Sequence, residues 1–236
     1  MSMLLALALL LQDPFDSALP GLAQGRPFTV VAQDKWLFED KFAAAPGKGY
    51  SWIRADAAAS KVEKGALHLK ALPGTIWEKT ATQKNLLVRD VPAYKEDEGS
   101  IAVEVTVTNV MAVDGEQAGL MLYLDDDHYL KLCRERVGGK TQIVFAREVA
   151  GVAVCPVERN DPAASHKLRI RWEPNKVYAE MLPAGGPKWL VAGYCESPFR
   201  KPDGVKVALY ACGGKADAPG WAQFTDFRVG HPAPVE

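Results

Sequence analysis

Apolar and polar residues alternate with a period of two through most of this chain, in short runs. From Gly99 to Val107, Ile101, Val103, Val105 and Val107 point one way while Ala102, Glu104 and Thr106 point the other, the pattern of a half-buried antiparallel strand. Leu67, Leu69 and Ala71 alternate with His68 and Lys70, Leu168, Ile170 and Trp172 with Lys167, Arg169 and Arg171, and Val205, Val207 and Leu209 with Lys206 and Ala208. Further strands are predicted over Trp36–Phe42, Asn85–Val91, Gln142–Glu148, Val152–Val157, Lys176–Leu182 and Gln223–Val229. Turn residues separate them at Val137-Gly138-Gly139-Lys140, Glu173-Pro174-Asn175, Pro183-Ala184-Gly185-Gly186-Pro187 and Pro202-Asp203-Gly204. Hardly any stretch sustains a helical period, and no segment repeats at a fixed spacing. The expectation is an all-β chain of a dozen or so strands in two antiparallel sheets packed face to face, because one sheet of that number would expose a whole apolar face.

Residues 119–135, GLMLYLDDDHYLKLCRE, read as two strands joined by Asp125-Asp126-Asp127. A calcium loop of the EF-hand type needs oxygen ligands at alternating positions, then a Gly and a distant Glu, whereas His128, Tyr129 and Leu130 follow here at once. The aspartates are therefore expected to form a hairpin tip, where Asp tolerates unusual backbone angles and bonds its own main chain, with calcium as the alternative. On the second strand, period two sets Tyr129, Lys131 and Glu135 on one face and Leu130, Leu132 and Arg134 on the other.

The length of 236 residues suits one sandwich domain, and a net charge of −1 without long single-sign runs argues against nucleic acid as a partner. The apolar run Met3–Leu11 is too short to span a bilayer and has the length of a signal-peptide core, although no Lys or Arg precedes it. Gly21-Leu22-Ala23 is a candidate cleavage site. Residues 1–23 are accordingly read as signal peptide and lead-in, residues 24–236 as a single sandwich, and the protein as secreted or periplasmic. The alternative is a misassigned start or an N-terminal strand. Cys133, Cys155, Cys195 and Cys212 permit disulfides in an exported chain without requiring them.

The chain has no GxSxG elbow, HExxH, P-loop or GxGxxG followed by a helix, and its histidines, His68, His128, His166 and His231, are scattered. Aromatic residues offer more: six tryptophans and several tyrosines neighbour polar residues. Sugars stack an apolar ring face on such planes while charged and amide groups take the hydroxyls. Trp77, in the loop-like Pro73-Gly74-Thr75-Ile76-Trp77-Glu78-Lys79, is the leading platform, with a cap on the core as its other reading; Trp172, in phase with Leu168 and Ile170, is expected in the core.

The segments Ser51-Trp52-Ile53-Arg54, Lys61–Leu69 and Leu72-Pro73-Gly74-Thr75-Ile76-Trp77 resemble the opening of the concanavalin A-like lectin/glucanase sandwiches. The pattern continues with Asn85–Arg89, Ala118–Tyr123, Tyr129–Leu132, Glu135 and Ala222–Val229, and looks most like uncharacterised bacterial domains related to the C-terminal sandwich of β-xylosidases. The resemblance implies a jelly roll with a concave sheet that in many relatives faces glycans. The β-xylosidase catalytic domain has no counterpart here. Sandwich β-glucanases place their acids on one strand as E-x-D-x-E; the nearest run here, Glu96-Asp97-Glu98, cannot share a strand face, and Glu104, Glu135 and Glu148 stand singly in strands.

Three functions stay open: a carbohydrate-binding, lectin-like protein without catalysis, a glycoside hydrolase in which Glu135 meets Asp125 or Asp127 across the fold, and an envelope domain for protein contacts. The expected ligand-binding residues are Trp77, His68, Arg89, Tyr123, Tyr129, Lys131 and Glu135, with no catalytic or metal-binding residue and no cofactor apart from the calcium alternative.

Overall fold

Alternation becomes fifteen strands in the computed structural model, which describes residues 34–91, 99–173, 175–199 and 204–233. The leader segment, Glu96-Asp97-Glu98, Pro174 and Pro202-Asp203 lie outside these residues. In chain order the strands are β1 (Lys35–Asp40), β2 (Tyr50–Ile53), β3 (Ser60–Glu63), β4 (Ala66–Lys70), β5 (Leu86–Asp90), β6 (Ile101–Thr108), β7 (Gln117–Asp125) and β8 (His128–Val137). They continue with β9 (Lys140–Val149), β10 (Val152–Asn160), β11 (Ser165–Glu173), β12 (Lys176–Pro183), β13 (Leu190–Glu196), β14 (Lys206–Cys212) and β15 (Trp221–His231). Every expected strand is present; β2, β3 and β13 are additions.

The strands form two antiparallel sheets, as expected. One has eight strands in the order β13-β12-β11-β6-β15-β4-β3, with β1 pairing the far end of β15; the other has seven, β10-β9-β8-β7-β14-β5-β2. Inward side chains of both interleave into one core: Val103, Val105, Leu168, Ile170, Phe224 and Val229 from the eight-stranded sheet meet Leu120, Leu122, Leu130, Leu132, Phe145 and Leu209 from the seven-stranded sheet. Trp172 is buried there against Phe199. Removing such side chains from water is the main stabilising term, about 1.5–3 kcal/mol for each large one.

The outer face of the eight-stranded sheet carries charge. Glu104 on β6 is buried and takes Arg169 from β11 (Nε to Oε1, 2.6 Å) and Arg228 from β15 (Nε to Oε2, 2.7 Å), while Arg169 and Arg171 also hold the buried Glu180 on β12. Trp189 covers the Arg169 guanidinium and Trp36 that of Arg228, each with its ring centroid 3.9 Å away.

The seven-stranded sheet is apolar on both faces. Leu86, Val88, Met121, Tyr123, Tyr129, Cys133, Val144, Ala146, Ala208, Tyr210 and Cys212 point away from the sandwich core, and Ile76, from the segment between β4 and β5, packs onto them as a second core. Residues 72–85 thus act as a lid over a sheet face that would otherwise expose a large apolar patch. Among the described residues no helix is long and apolar enough to cross a membrane.

Candidate functional site

The lid is pinned at several places along its length. At its start, Gly213 N–H donates to Leu72 O at 2.9 Å. Gly74, with φ of +134°, turns where a Cβ would lie 2.8 Å from Thr82 O, so the two arms close on each other, with Thr82 N–H donating to Thr75 O at 2.8 Å. Midway, Tyr129 Oη lies 2.7 Å from Ile76 O, and Glu78 N–H donates to Glu148 Oε2 at 2.8 Å. At the far end Arg54 donates through Nε to Gln83 O at 2.6 Å and grips Asp126 with both terminal nitrogens, at 2.7 and 2.9 Å.

Asp126 therefore does more than form a polar hairpin tip. It also accepts from Tyr123 Oη at 2.9 Å, so the turn between β7 and β8 fastens the lid to the sheet. Its neighbour Asp125 plays the expected local part, accepting from the Asp127 backbone at 2.9 Å and lying 2.8 Å from His128 Nδ1. Among the described residues no three His, Cys, Asp or Glu side chains gather as metal ligands.

Where the lid ends short of the sheet margin it leaves a pocket of about 430 Å³, within the ~300–1,000 Å³ typical of small-ligand sites. Pro73, Gly74, Thr75 and Trp77 form one wall and Asp114, Gly115, Gly213 and Gly214 the other, while Gln117, Lys131 and Glu135 rise from the sheet. Glycine at 213 and 214 is needed for this approach: a Cβ would lie 2.0 Å from Gly115 O at the first and 2.1 Å from Ala71 O at the second.

Lys131 is the centre of the polar floor. Its buried ammonium donates to Gln117 Oε1 at 2.9 Å and Glu135 Oε2 at 3.3 Å, and lies 5.1 Å from the Trp77 ring centroid. Gln117 Oε1 also accepts from Tyr210 Oη at 2.8 Å, and its Nε2 donates to Gly115 O at 3.3 Å, which fixes the amide orientation. Burial opposes the charge on Lys131, but the Cys133 sulfur, Glu135 and Cys212 outweigh it and hold the ammonium above the ordinary lysine value. Burial pushes the Cys133 and Cys212 thiols up to about 12, and all four cysteines are free thiols. At the rim Asp114 meets Arg136 Nε at 3.3 Å and accepts from Gly139 N–H at 2.9 Å.

Of the expected ligand-binding residues the structure gathers Trp77, Lys131 and Glu135, and sets four elsewhere. Tyr129 shares their face but is sealed beneath the lid, and Tyr123 is committed to Asp126. Arg89 stacks over Phe38 (3.7 Å) and Tyr50 (5.2 Å) and donates to Lys48 O. His68 belongs to the other sheet, where its ring meets Trp221 edge-on at 6.5 Å. Nor does Glu135 meet Asp125 or Asp127. Asp125 pairs with His128, and Glu135 lies seven residues further along β8, about 23 Å at ~3.3 Å per residue. Gln117 and Tyr210 were not among the expected residues.

Solved structures share this fold. The GH43 protein BlXynB of Bacillus licheniformis aligns with a TM-score of 0.69 at 21% identity over 82% of this chain and 39% of its own. A xylan beta-1,4-xylosidase from Bacillus halodurans aligns at 0.68 with 17% identity over the same shares. The chain thus spans about two fifths of each. A functionally unknown protein from Saccharomyces cerevisiae aligns at 0.62 with 16% identity over 79% of this chain and 98% of its own. No curated protein matches the sequence significantly. The family model described as "Protein of unknown function (DUF1349)" matches residues 52–232, most of the chain, and the chain belongs to that family.

Proposed function

We propose that the chain is an exported carbohydrate-binding protein that holds a neutral sugar in the Trp77 pocket and does not cleave it. The observation that carries this reading is the joining, in one open pocket, of a part-exposed indole with a polar floor of Lys131, Gln117 and Glu135. The indole offers a stacking plane, and the amide, ammonium and carboxylate offer donors and acceptors for hydroxyls. The ligand is neutral because charges in and beside the pocket are balanced locally. Lys131 is shared with Glu135 and Asp114 with Arg136, so an anionic sugar would find no uncommitted cation among the lining residues. Hydrolysis needs two positioned carboxyls in different protonation states, and both pocket carboxylates are paired to cations. The resemblance to sandwiches carried by GH43 proteins agrees with a glycan ligand.

A screen of the full chain on neutral and anionic glycans, with reducing-end assay, tests the reading. Retention on neutral glycans without release of reducing ends is expected, weakened at least tenfold, about 1.4 kcal/mol, in Trp77→Ala. Reducing ends that disappear in Glu135→Gln would make it a hydrolase. A second reading, protein contact, is favoured by exposed valines at the β9–β10 turn, Val149, Val152 and Val154, and would follow from no glycan binding at all.

A further inference from the structure

Counting protons beneath the lid shows a feature that the binding proposal does not use. Tyr129 Oη lies 2.7 Å from Ile76 O and 2.8 Å from Glu148 Oε2. Ile76 O is a carbonyl and only accepts. Two hydrogen bonds among these three oxygens need two protons, and the tyrosine hydroxyl supplies one. If Tyr129 donated to an ionised Glu148, its oxygen would face the Ile76 carbonyl at contact distance with no proton between them. The second proton must belong to Glu148: its Oε2–H donates to Tyr129, Tyr129 donates to Ile76 O, and Oε2 still accepts from Glu78 N–H at 2.8 Å.

We propose that Glu148 is a neutral carboxylic acid whose proton completes the chain Glu148–Tyr129–Ile76 and thereby positions the backbone on both sides of Trp77. Trp77 is the residue between the two anchors, so the wall of the pocket is set by a proton buried behind it. Glu148 is a positioning residue here and touches no ligand.

The surroundings agree. Glu148 is fully buried and its Oε1 has no partner, which is costly for a carboxylate and cheaper for the neutral acid. No cation within 4 Å answers it among the described residues. Tyr129 faces it from β8, the apolar Ala153 from β10, Glu78 from the lid and Asp127 from the hairpin turn; Lys79 of the lid lies across Gly151 beside Asp127. Burial, with Asp127 and Glu78 adding to it, outweighs the Tyr129 and Glu78 N–H hydrogen bonds and raises Glu148 above the ordinary carboxyl value. A group raised in the folded state contributes stability that is fully present below its unfolded value of 4.5 and is lost as pH rises through the folded value. The lid is therefore expected to loosen as pH rises through the Glu148 midpoint.

The test is carboxyl carbon NMR of the full ¹³C-labelled chain, with Glu148→Gln to assign the signal. The proposal expects the Glu148 carboxyl to keep its protonated position at pH 6, where ordinary glutamates are about 98% ionised. Titration alongside those glutamates would overturn it. Lid closure is read separately, as hydrogen exchange of the Trp77, Glu78 and Thr80 amides. Wild type is expected to lose at least tenfold protection, beyond the intrinsic rise in exchange rate, as pH increases through the carboxyl midpoint. Glu148→Gln, neutral at every pH, is expected to lose that dependence. Its amide nitrogen can replace the donor to Tyr129 but cannot accept from Glu78 N–H, so the Glu78 amide alone is expected to be less protected at every pH. Glu148→Ala is expected to be unprotected throughout. If all three chains protect these amides alike, Glu148 does not position the lid. These readouts need no ligand, so they stand or fall apart from the glycan assignment.

Discussion

His166 shows how far a single residue can be argued from its surroundings. It is buried on β11 with Nε2 3.0 Å from Asp161 Oδ2, and burial lowers its pKa from 6.5 despite that carboxylate. A depressed group contributes stability that is present above its unfolded value and lost as pH falls through the folded value. Urea unfolding should therefore show stability declining from about pH 6.5 downward, and His166→Asn should flatten that part of the profile. Sequence conveyed the polar face of β8 well, since period two alone sets Tyr129, Lys131 and Glu135 together. It conveyed Gln117 poorly. The register shifts between Tyr123 and Asp125, so pairing counted outward from the Asp126-Asp127 turn would set Gln117 opposite Arg136 instead of Glu135. Tyr210 arrives from β14, distant in sequence, with no local signal.

At the scale of elements, strands of clear alternation were legible and irregular ones were not. β2 and β3 have four residues each, too few to establish a period, and Gly193 interrupts β13 where a Cβ would lie 2.1 Å from a Val157 methyl. The lid has no period at all. It is held by Ile76 and by polar pins, which makes Ile76 its decisive apolar contact. Ile76→Ala should cost about 2–4 kcal/mol in lid closure while the sandwich stays folded. Hydrogen exchange would rise across residues 72–85 and stay slow in β7, β8 and β14; equal loss of protection in those strands would show that lid and sheet open as one unit.

For the molecule as a whole, the sandwich was foreseeable because alternating strands must bury one face, whereas the second apolar face of the seven-stranded sheet became visible only with its cover. The opposite sheet solves its outer face with ions. Glu104 joins β6 to β11 and β15 through Arg169 and Arg228, and Glu104→Ala would leave two partly or fully buried guanidiniums short of an acceptor. The expected loss is about 3–5 kcal/mol of global stability, measured by denaturant unfolding. A loss below 1 kcal/mol would mean that water or Glu180 takes over.

A pocket whose walls come partly from a separate lid divides the work of change between two kinds of residue. Mutations in β7, β8 or β14 disturb a packed sheet, and Gly74 is held by its turn, but exchange of Pro73, Thr75 and Trp77 leaves Ile76 and the pins at both ends in place. Descendants of one sandwich could therefore diverge in what they recognise by rewriting a handful of lid positions, and a laboratory library confined to those positions would sample new specificities without spending folding stability.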